Sequence, residues 1–183
     1  MDTVIALGTF DGMHPGHLAV IDRAVQEARN RGVPAWVYTF SNNPRSVFGT
    51  APMELMAPAE RERIMLSRGV DRVVFVEFDR ALADTPPRDF AAMLKERYGM
   101  AVAVAGEDYT FGSRGAGTVQ ALAEYGAELG FSVAVVPLVT VDGEKVSSTR
   151  MRAAAESGDG ALYAKLTGGN QYDTGHPPRS LSQ

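Results

Sequence analysis

The sequence predicts an α/β protein: a mostly parallel sheet with helices on both of its faces. Two observations lead there. Short apolar runs of strand length alternate along the chain with segments of helical period. Three unusual loops, at 8–16, 40–48 and 106–117, each follow the end of an apolar run. Alternating strands and helices imply right-handed crossovers and a parallel sheet. Ligands in such sheets bind beyond the carboxyl ends of the strands, at a switch point. The three loops therefore mark where a site should lie.

Taken in order, 3–7 reads as a strand that runs into the glycine-rich stretch 8–16. A helix fits from Pro15, which suits a first turn, with Leu18, Ile21, Val25 and Ala28 on one face and Gly32 at its end. The span 34–40 is a second strand, and 41–58 is a long loop without period, of the kind that is usually functional. A short helix at 59–68 and a strand at 71–78 follow. Phe90, Met93, Leu94 and Tyr98 share one face of a helix at 87–98. A strand at 100–105 leads into the glycine-bearing loop 106–117. Val119, Leu122, Ala123 and Leu129 mark the next helix, and 131–136 is a strand that 138–141 extends or follows. The hydroxyl-rich Ser147-Ser148-Thr149 caps a helix at 148–156, and 161–166 is a last helical turn or two. The expected organisation is one domain over 1–168 and a polar C-terminal tail over 169–183.

Composition narrows the chemistry. A chain of 183 residues, 45% hydrophobic, can bury a real core. With no cysteine, disulfide frameworks, thiolate metal sites and cysteine nucleophiles are excluded. A net charge of −4 argues against non-specific nucleic-acid binding. No apolar run reaches the roughly 20 residues needed to span a bilayer. Met1-Asp2-Thr3 leads straight into Val4-Ile5-Ala6-Leu7 without a basic leader, so a cytoplasmic protein is expected.

The strongest motif is Gly8-Thr9-Phe10-Asp11-Gly12-Met13-His14-Pro15-Gly16-His17. His14 and His17 stand three apart across a helix start, so both can face one side. The helix N-terminus offers free N–H groups and the positive end of its dipole. These parts suit a polyphosphate with two imidazole donors beside it. The motif lacks the Gly-Lys-Ser/Thr ending of a Walker A loop, and it is not the dinucleotide G-x-G-x-x-G. In Ser147-Ser148-Thr149-Arg150-Met151-Arg152, hydroxyls at a helix start can cap the helix and bind phosphate, and two arginines add forked donors. Gly106-Glu107-Asp108-Tyr109-Thr110-Phe111-Gly112 sets a carboxylate among aromatics after a strand. Tyr38-Thr39-Phe40-Ser41-Asn42-Asn43-Pro44-Arg45-Ser46-Val47-Phe48 forms the exit from another strand.

These four segments, in this order, resemble the adenylyltransferase module of bacterial riboflavin kinase/FAD synthetase proteins, of the H-x-G-H nucleotidyltransferase superfamily. The resemblance runs from about residue 4 to about residue 168. It departs from the family where Asn42-Asn43-Pro44 replaces P-H-P and where Tyr109 replaces the commoner Phe. The resemblance implies a Rossmann-like fold and the transfer of AMP from magnesium–ATP to FMN, giving FAD and pyrophosphate. His14, His17 and Arg152 would carry catalysis. Gly8, Thr9, Phe10, Asp11, Gly16, Ser147, Ser148, Thr149 and Arg150 would bind the nucleotide, with Asp11 beside the metal or the acceptor. Asn42, Pro44, Arg45, Phe48, Asp108 and Phe111 would shape the flavin side. The expected partners are ATP and FMN, with neither nucleic acid nor membrane. The family's β-barrel kinase module has no room in this length, so FAD synthesis without FMN synthesis is expected.

The chemistry agrees with the residues. A phosphate monoester is already an anionic nucleophile, so alignment and charge neutralisation suffice, without a covalent residue or general base. Magnesium would be held mainly by substrate oxygens and water, and no metal-ligand set is expected on the chain. Two alternatives stand beside this reading. One is a nucleotidyltransferase using ATP or CTP on another phosphorylated acceptor, motivated by Asn42-Asn43. The other is a catalytically silent flavin- or nucleotide-binding module.

Overall fold

The computed structural model describes residues 1–168; the expected tail, 169–183, lies outside the described residues. Five parallel strands form the sheet: β1 (Thr3–Leu7), β2 (Ala35–Phe40), β3 (Arg72–Val76), β4 (Met100–Gly106) and β5 (Ser132–Val136). Their order is β3-β2-β1-β4-β5. The chain moves outward from β1 to β3, then crosses back to β4 on the other side of β1. The switch point therefore lies between β1 and β4, as the doubly wound pattern requires.

Both faces are covered. Val4 and Ala6 of β1 point to one side with Val37, Val102 and Val104. There they meet α1 (Pro15–Arg31) through Leu18, Ile21, Ala24 and Val25, and α2 (Pro58–Ser67) through Ile64 and Met65. Ile5 and Leu7 point to the other side with Tyr38, Ala103 and Ala105. The one-residue alternation along a strand thus feeds two cores. Between the strands that flank this second core comes α3 (Arg80–Ala83), a four-residue turn capped by Asp79. Then α4 (Pro87–Tyr98) and α5 (Val119–Leu129) close the second core with Phe90, Leu94 and Leu122.

After β5 the chain leaves the sheet. Two-residue strands β6 (Thr140–Val141) and β7 (Glu144–Lys145) pair antiparallel, followed by α6 (Ser148–Glu156) and α7 (Gly160–Leu166). Asp142 and Gly143 both have positive φ, 55° and 79°, the geometry of a two-residue Asp-Gly hairpin turn. This cap has its own small core of Val146, Met151, Ala154 and Leu166.

Most elements begin and end within two residues of the sequence-based expectation. Two differences stand out. The loop 41–58 contains a 3-10 turn, Pro44–Phe48. Helix α3 is too short to show a period. The run at 138–141 follows β5, one of the two expected readings, and its last two residues form β6.

Candidate active site

The carboxyl ends of β1, β2 and β4 open into a cavity of about 490 Å³ that reaches across to the cap. Its floor is the loop after β1. Phe10 and Met13 hold φ of 50° and 43°, unusual for side chains of their size, and both are only 1% exposed. Such strain, of about 1–3 kcal/mol per residue, survives only where packing overrides it. Here both side chains are driven into the core under the sheet exits. Gly12, at φ 81°, lies where a Cβ would come within 2.8 Å of Leu55, so the cap-side segment can close down on the loop.

His14 caps α1. Its Nδ1 accepts from the His17 amide at 3.3 Å, which leaves the ring proton on Nε2. The two imidazoles stack, with centroids 3.6 Å apart, and Phe10 meets the His17 ring edge-on at 5.3 Å. Gly16 permits the stack, since a Cβ there would stand 3.2 Å from the His14 ring. Among the described residues, the buried Nδ1 of His17 has no partner. Burial lowers the His14 pKa to about 4, with the Lys145 charge adding to the fall and Asp108 opposing it. Burial, then the His14 and Arg61 charges, hold His17 well below its ordinary value. At neutral pH the floor therefore presents two neutral imidazoles at a helix N-terminus.

Asp11 serves as a clamp. Its Oδ1 accepts from the amides of Leu55 and Met56 at 3.0 and 3.2 Å, and its Oδ2 pairs with Arg152. The Asp11 carbonyl accepts from the Ser148 hydroxyl at 2.7 Å. Both carboxylate oxygens are thus engaged within the protein, on the wall of the cavity. Among the described residues, no group of three or more His, Cys, Asp or Glu side chains could hold a metal ion.

The three hydroxyls at the start of α6 are engaged differently. Ser147 caps α6 by accepting from the Arg150 amide at 3.2 Å, and the Ser148 proton goes to Asp11. Only the Thr149 hydroxyl has no partner among the described residues. Arg152 donates to the Met53 carbonyl at 2.7 Å and lines the cavity. Arg150 does not line it. Its guanidinium donates to the Val141 and Glu144 carbonyls at 2.9 and 3.2 Å and pairs with the Glu144 carboxylate. Residues two apart on a helix point in nearly opposite directions, so only one of these arginines can face the cavity.

The other end of the cavity is aromatic. Phe40, Phe78, Phe90, Tyr109 and Phe111 line it with Leu82, and Tyr109 stacks on Phe111 at 5.7 Å. Pro44 and Arg45 stand at its edge, and Arg45 carries no ion pair among the described residues. Two expected acceptor residues fall outside. Phe48 is 58% exposed in the 3-10 turn, with Arg80 over its ring at 5.7 Å. Asn42 donates to the Phe78 carbonyl at 2.9 Å and accepts from the Phe78 amide at 2.7 Å, which ties the exits of β2 and β3 together. Gly8, Thr9, Phe10, Asp11, His14, Gly16, His17, Ser147, Ser148, Thr149, Arg152, Pro44, Arg45, Asp108 and Phe111 all lie on the cavity wall.

Two residues at the site escaped the sequence. Lys145 of β7 lines the cavity and pairs with Asp108. The Asp142-Gly143 turn signature, two residues before it, was the available signal. Arg61 of α2 is 4% exposed and donates to the Thr9 and Phe40 carbonyls at 2.8 and 3.1 Å, fixing the exits of β1 and β2. Nothing in local sequence announces such a long-range bond.

Comparisons with known proteins agree with this geometry. A family model described as FAD synthetase matches residues 1–150. The bifunctional riboflavin kinase/FMN adenylyltransferase of Escherichia coli is 32% identical over 168 residues, covering 90% of this chain and 54% of that protein. The chain thus spans about half the length of the curated relatives it matches. A structure from Streptococcus pneumoniae, described as a macrolide-efflux protein, superposes with a TM-score of 0.82 at 32% identity, covering 92% of this chain and 57% of that one. Pantoate-beta-alanine ligase from Francisella tularensis shares the fold alone, with a TM-score of 0.55 at 16% identity, covering 84% of this chain and 69% of that one. On the extent of these matches, the chain belongs to the FAD synthetase family.

Proposed function

We propose that this chain transfers the adenylyl group of magnesium–ATP to the phosphate of FMN, giving FAD and pyrophosphate. One observation carries the reading: a single cavity joins neutral imidazoles at a helix N-terminus to a slot walled by aromatic rings. The first end suits a polyphosphate, and the second suits a flat ring system. A phosphate oxygen of FMN attacks the α-phosphorus, that P–O bond forms, and the bond to the β-phosphate oxygen breaks to release pyrophosphate. His14 and His17 donate through Nε2–H to oxygens that gain charge in the transition state, where preorganised donors are worth most. Thr149, the amides at the start of α6, and Arg152 hold the outer phosphates. Pro44, Arg45 and Phe111 frame the acceptor. Magnesium belongs to the substrate, on the triphosphate oxygens, where it offsets their charge.

The reaction is assigned to the cytoplasm, where ATP is made, and to 1–168 as one working module. Of the two residues that replace the family's Pro-His, Asn42 is spent on the Phe78 backbone, while Asn43 caps the 3-10 turn through its Oδ1 and is the one on the cavity wall. The test is direct: purified protein is incubated with magnesium, ATP or CTP, and FMN or other phosphate esters. FAD and pyrophosphate forming in equal amounts from ATP and FMN is the expected result. No FAD, with turnover of another acceptor or with tight FMN binding alone, overturns the reading.

A further inference from the structure

Two cations face the cavity from the cap, and each meets a carboxylate from the opposite wall. Arg152 pairs with Asp11, and Lys145 pairs with Asp108. The two carboxylates are held very differently. Asp11 is 7% exposed and accepts from two backbone amides besides the arginine, so it cannot leave. The Asp108 side chain is about half exposed and, among the described residues, has Lys145 as its only polar partner. It sits on the turn after β4, where the Tyr109 amide donates to the Gly106 carbonyl and leaves the carboxylate free of the backbone. Both members of the pair line the same cavity as His14, and both charges are felt at its ring.

A polyphosphate lying across His14 therefore finds the Lys145 ammonium already occupied. We propose that Asp108 is an internal counter-anion that substrate phosphate displaces from Lys145, and that this exchange sets how weakly the site holds pyrophosphate. The inference rests on the adenylyltransferase reading for its purpose, but not for its test. A mobile carboxylate competes with phosphate for one ammonium and favours release of the product anion. Once the phosphate departs, the carboxylate returns to the lysine, so the ammonium is not left unpaired. Neither bonds nor protons change hands. The step is an exchange of ionic partners, and Asp108 acts as a positioning residue through Lys145.

Inorganic pyrophosphate is the probe, measured by calorimetry on the free protein and by inhibition of turnover. Asp108→Asn should tighten pyrophosphate binding about two- to fivefold, the range expected for removing one competing partner from a half-exposed ion pair. Lys145→Ala should weaken binding. In Lys145→Ala, adding Asp108→Asn should change nothing further, so the two effects are strongly non-additive. Unchanged or weaker pyrophosphate binding in Asp108→Asn overturns the proposal, as does an effect that persists without Lys145. A raised KM for FMN with unaltered pyrophosphate affinity would instead put Asp108 on the acceptor, and also overturns it. Because pyrophosphate binding needs no acceptor, these outcomes are separate from wild-type protein failing to make FAD, which would sink the functional reading alone.

Discussion

The cavity has two unlike walls. The floor, where β1 runs into α1, is built from the most buried part of the chain: Val4, Ile5, Ala6 and Leu7 are at most 2% exposed, and Phe10 and Met13 only 1%. The cap rests on four buried side chains and meets the floor through polar latches at Asp11 and through Met151 beside Gly12. Regions with fewer buried apolar contacts open at lower free energy. The floor thus suits groups whose position must not vary, which are the imidazoles. The cap carries Lys145, Thr149 and Arg152, which on the proposed reading would seize and release an anion.

The largest expected effect is on the floor. His17→Ala should lower the rate of FAD formation by about 100- to 1,000-fold, as loss of one preorganised donor does, with unchanged circular dichroism. A loss under threefold would mean that the floor is not where catalysis is concentrated. The floor should also titrate. His14 falls from 6.5 to about 4 on folding, so above pH 6.5 it is neutral in both states and adds no pH dependence. As pH falls from 6.5 towards 4, the unfolded chain takes up a proton that the folded one refuses, so stability drops. The cost is on the order of 3 kcal/mol across that window. His14→Asn keeps a capping side chain but removes the titration. Urea unfolding of this variant should show a shallower pH slope, and an identical slope would place the acid sensitivity elsewhere.

The joint between the walls comes next. Asp11→Ala strands a largely buried guanidinium and two amides, so it should cost about 2–3 kcal/mol, read as a lower urea midpoint. Retention of full stability would show that the latch does not hold the cap. Arg150→Gln touches only the hairpin and should cost about 1 kcal/mol, with little change in the KM for ATP. The smallest effect is expected outside both walls: Phe48→Ala should leave the KM for FMN within twofold. A tenfold rise would return Phe48 to the acceptor site.

Sequence carried the floor well because its signals are local. Glycines, two histidines and a proline at fixed offsets define a strand, a turn and a helix start within 15 residues of one another, and Gly8, His14, Pro15 and His17 are neighbours in both chain and space. The cap was harder. Arg150 and Arg152 look alike in composition, and only helix geometry separates them; Ser148 and Arg152, four apart, share the cavity face. Asn42 and Phe48 lie within six residues of Pro44 and Arg45, yet an amide bonded to Phe78 and a short 3-10 turn send them elsewhere. Lys145 reaches the cavity by way of a hairpin whose strands are two residues each. The Asn42–Phe78 bond joins distant parts of the chain and no local pattern encodes it, whereas the Asp142-Gly143 turn and the period of α6 are local signals for Lys145 and Arg152.

The central strand also dictates when the site can come into being. Val4 pairs with Ala35 on one side but with Val102 on the other, so β1 gains its second neighbour only after a hundred residues have been made. Closing loops of that size before any parallel pairing rewards them is slow. During synthesis β1 therefore waits on the middle of the chain for its second neighbour, and Asp11 waits longer still for Arg152. The most buried wall of the cavity is completed only once β4 has been made, and the cap follows it. Until then its apolar strand remains open to pairing with the wrong partner, a period in which the nascent protein is most exposed to aggregation.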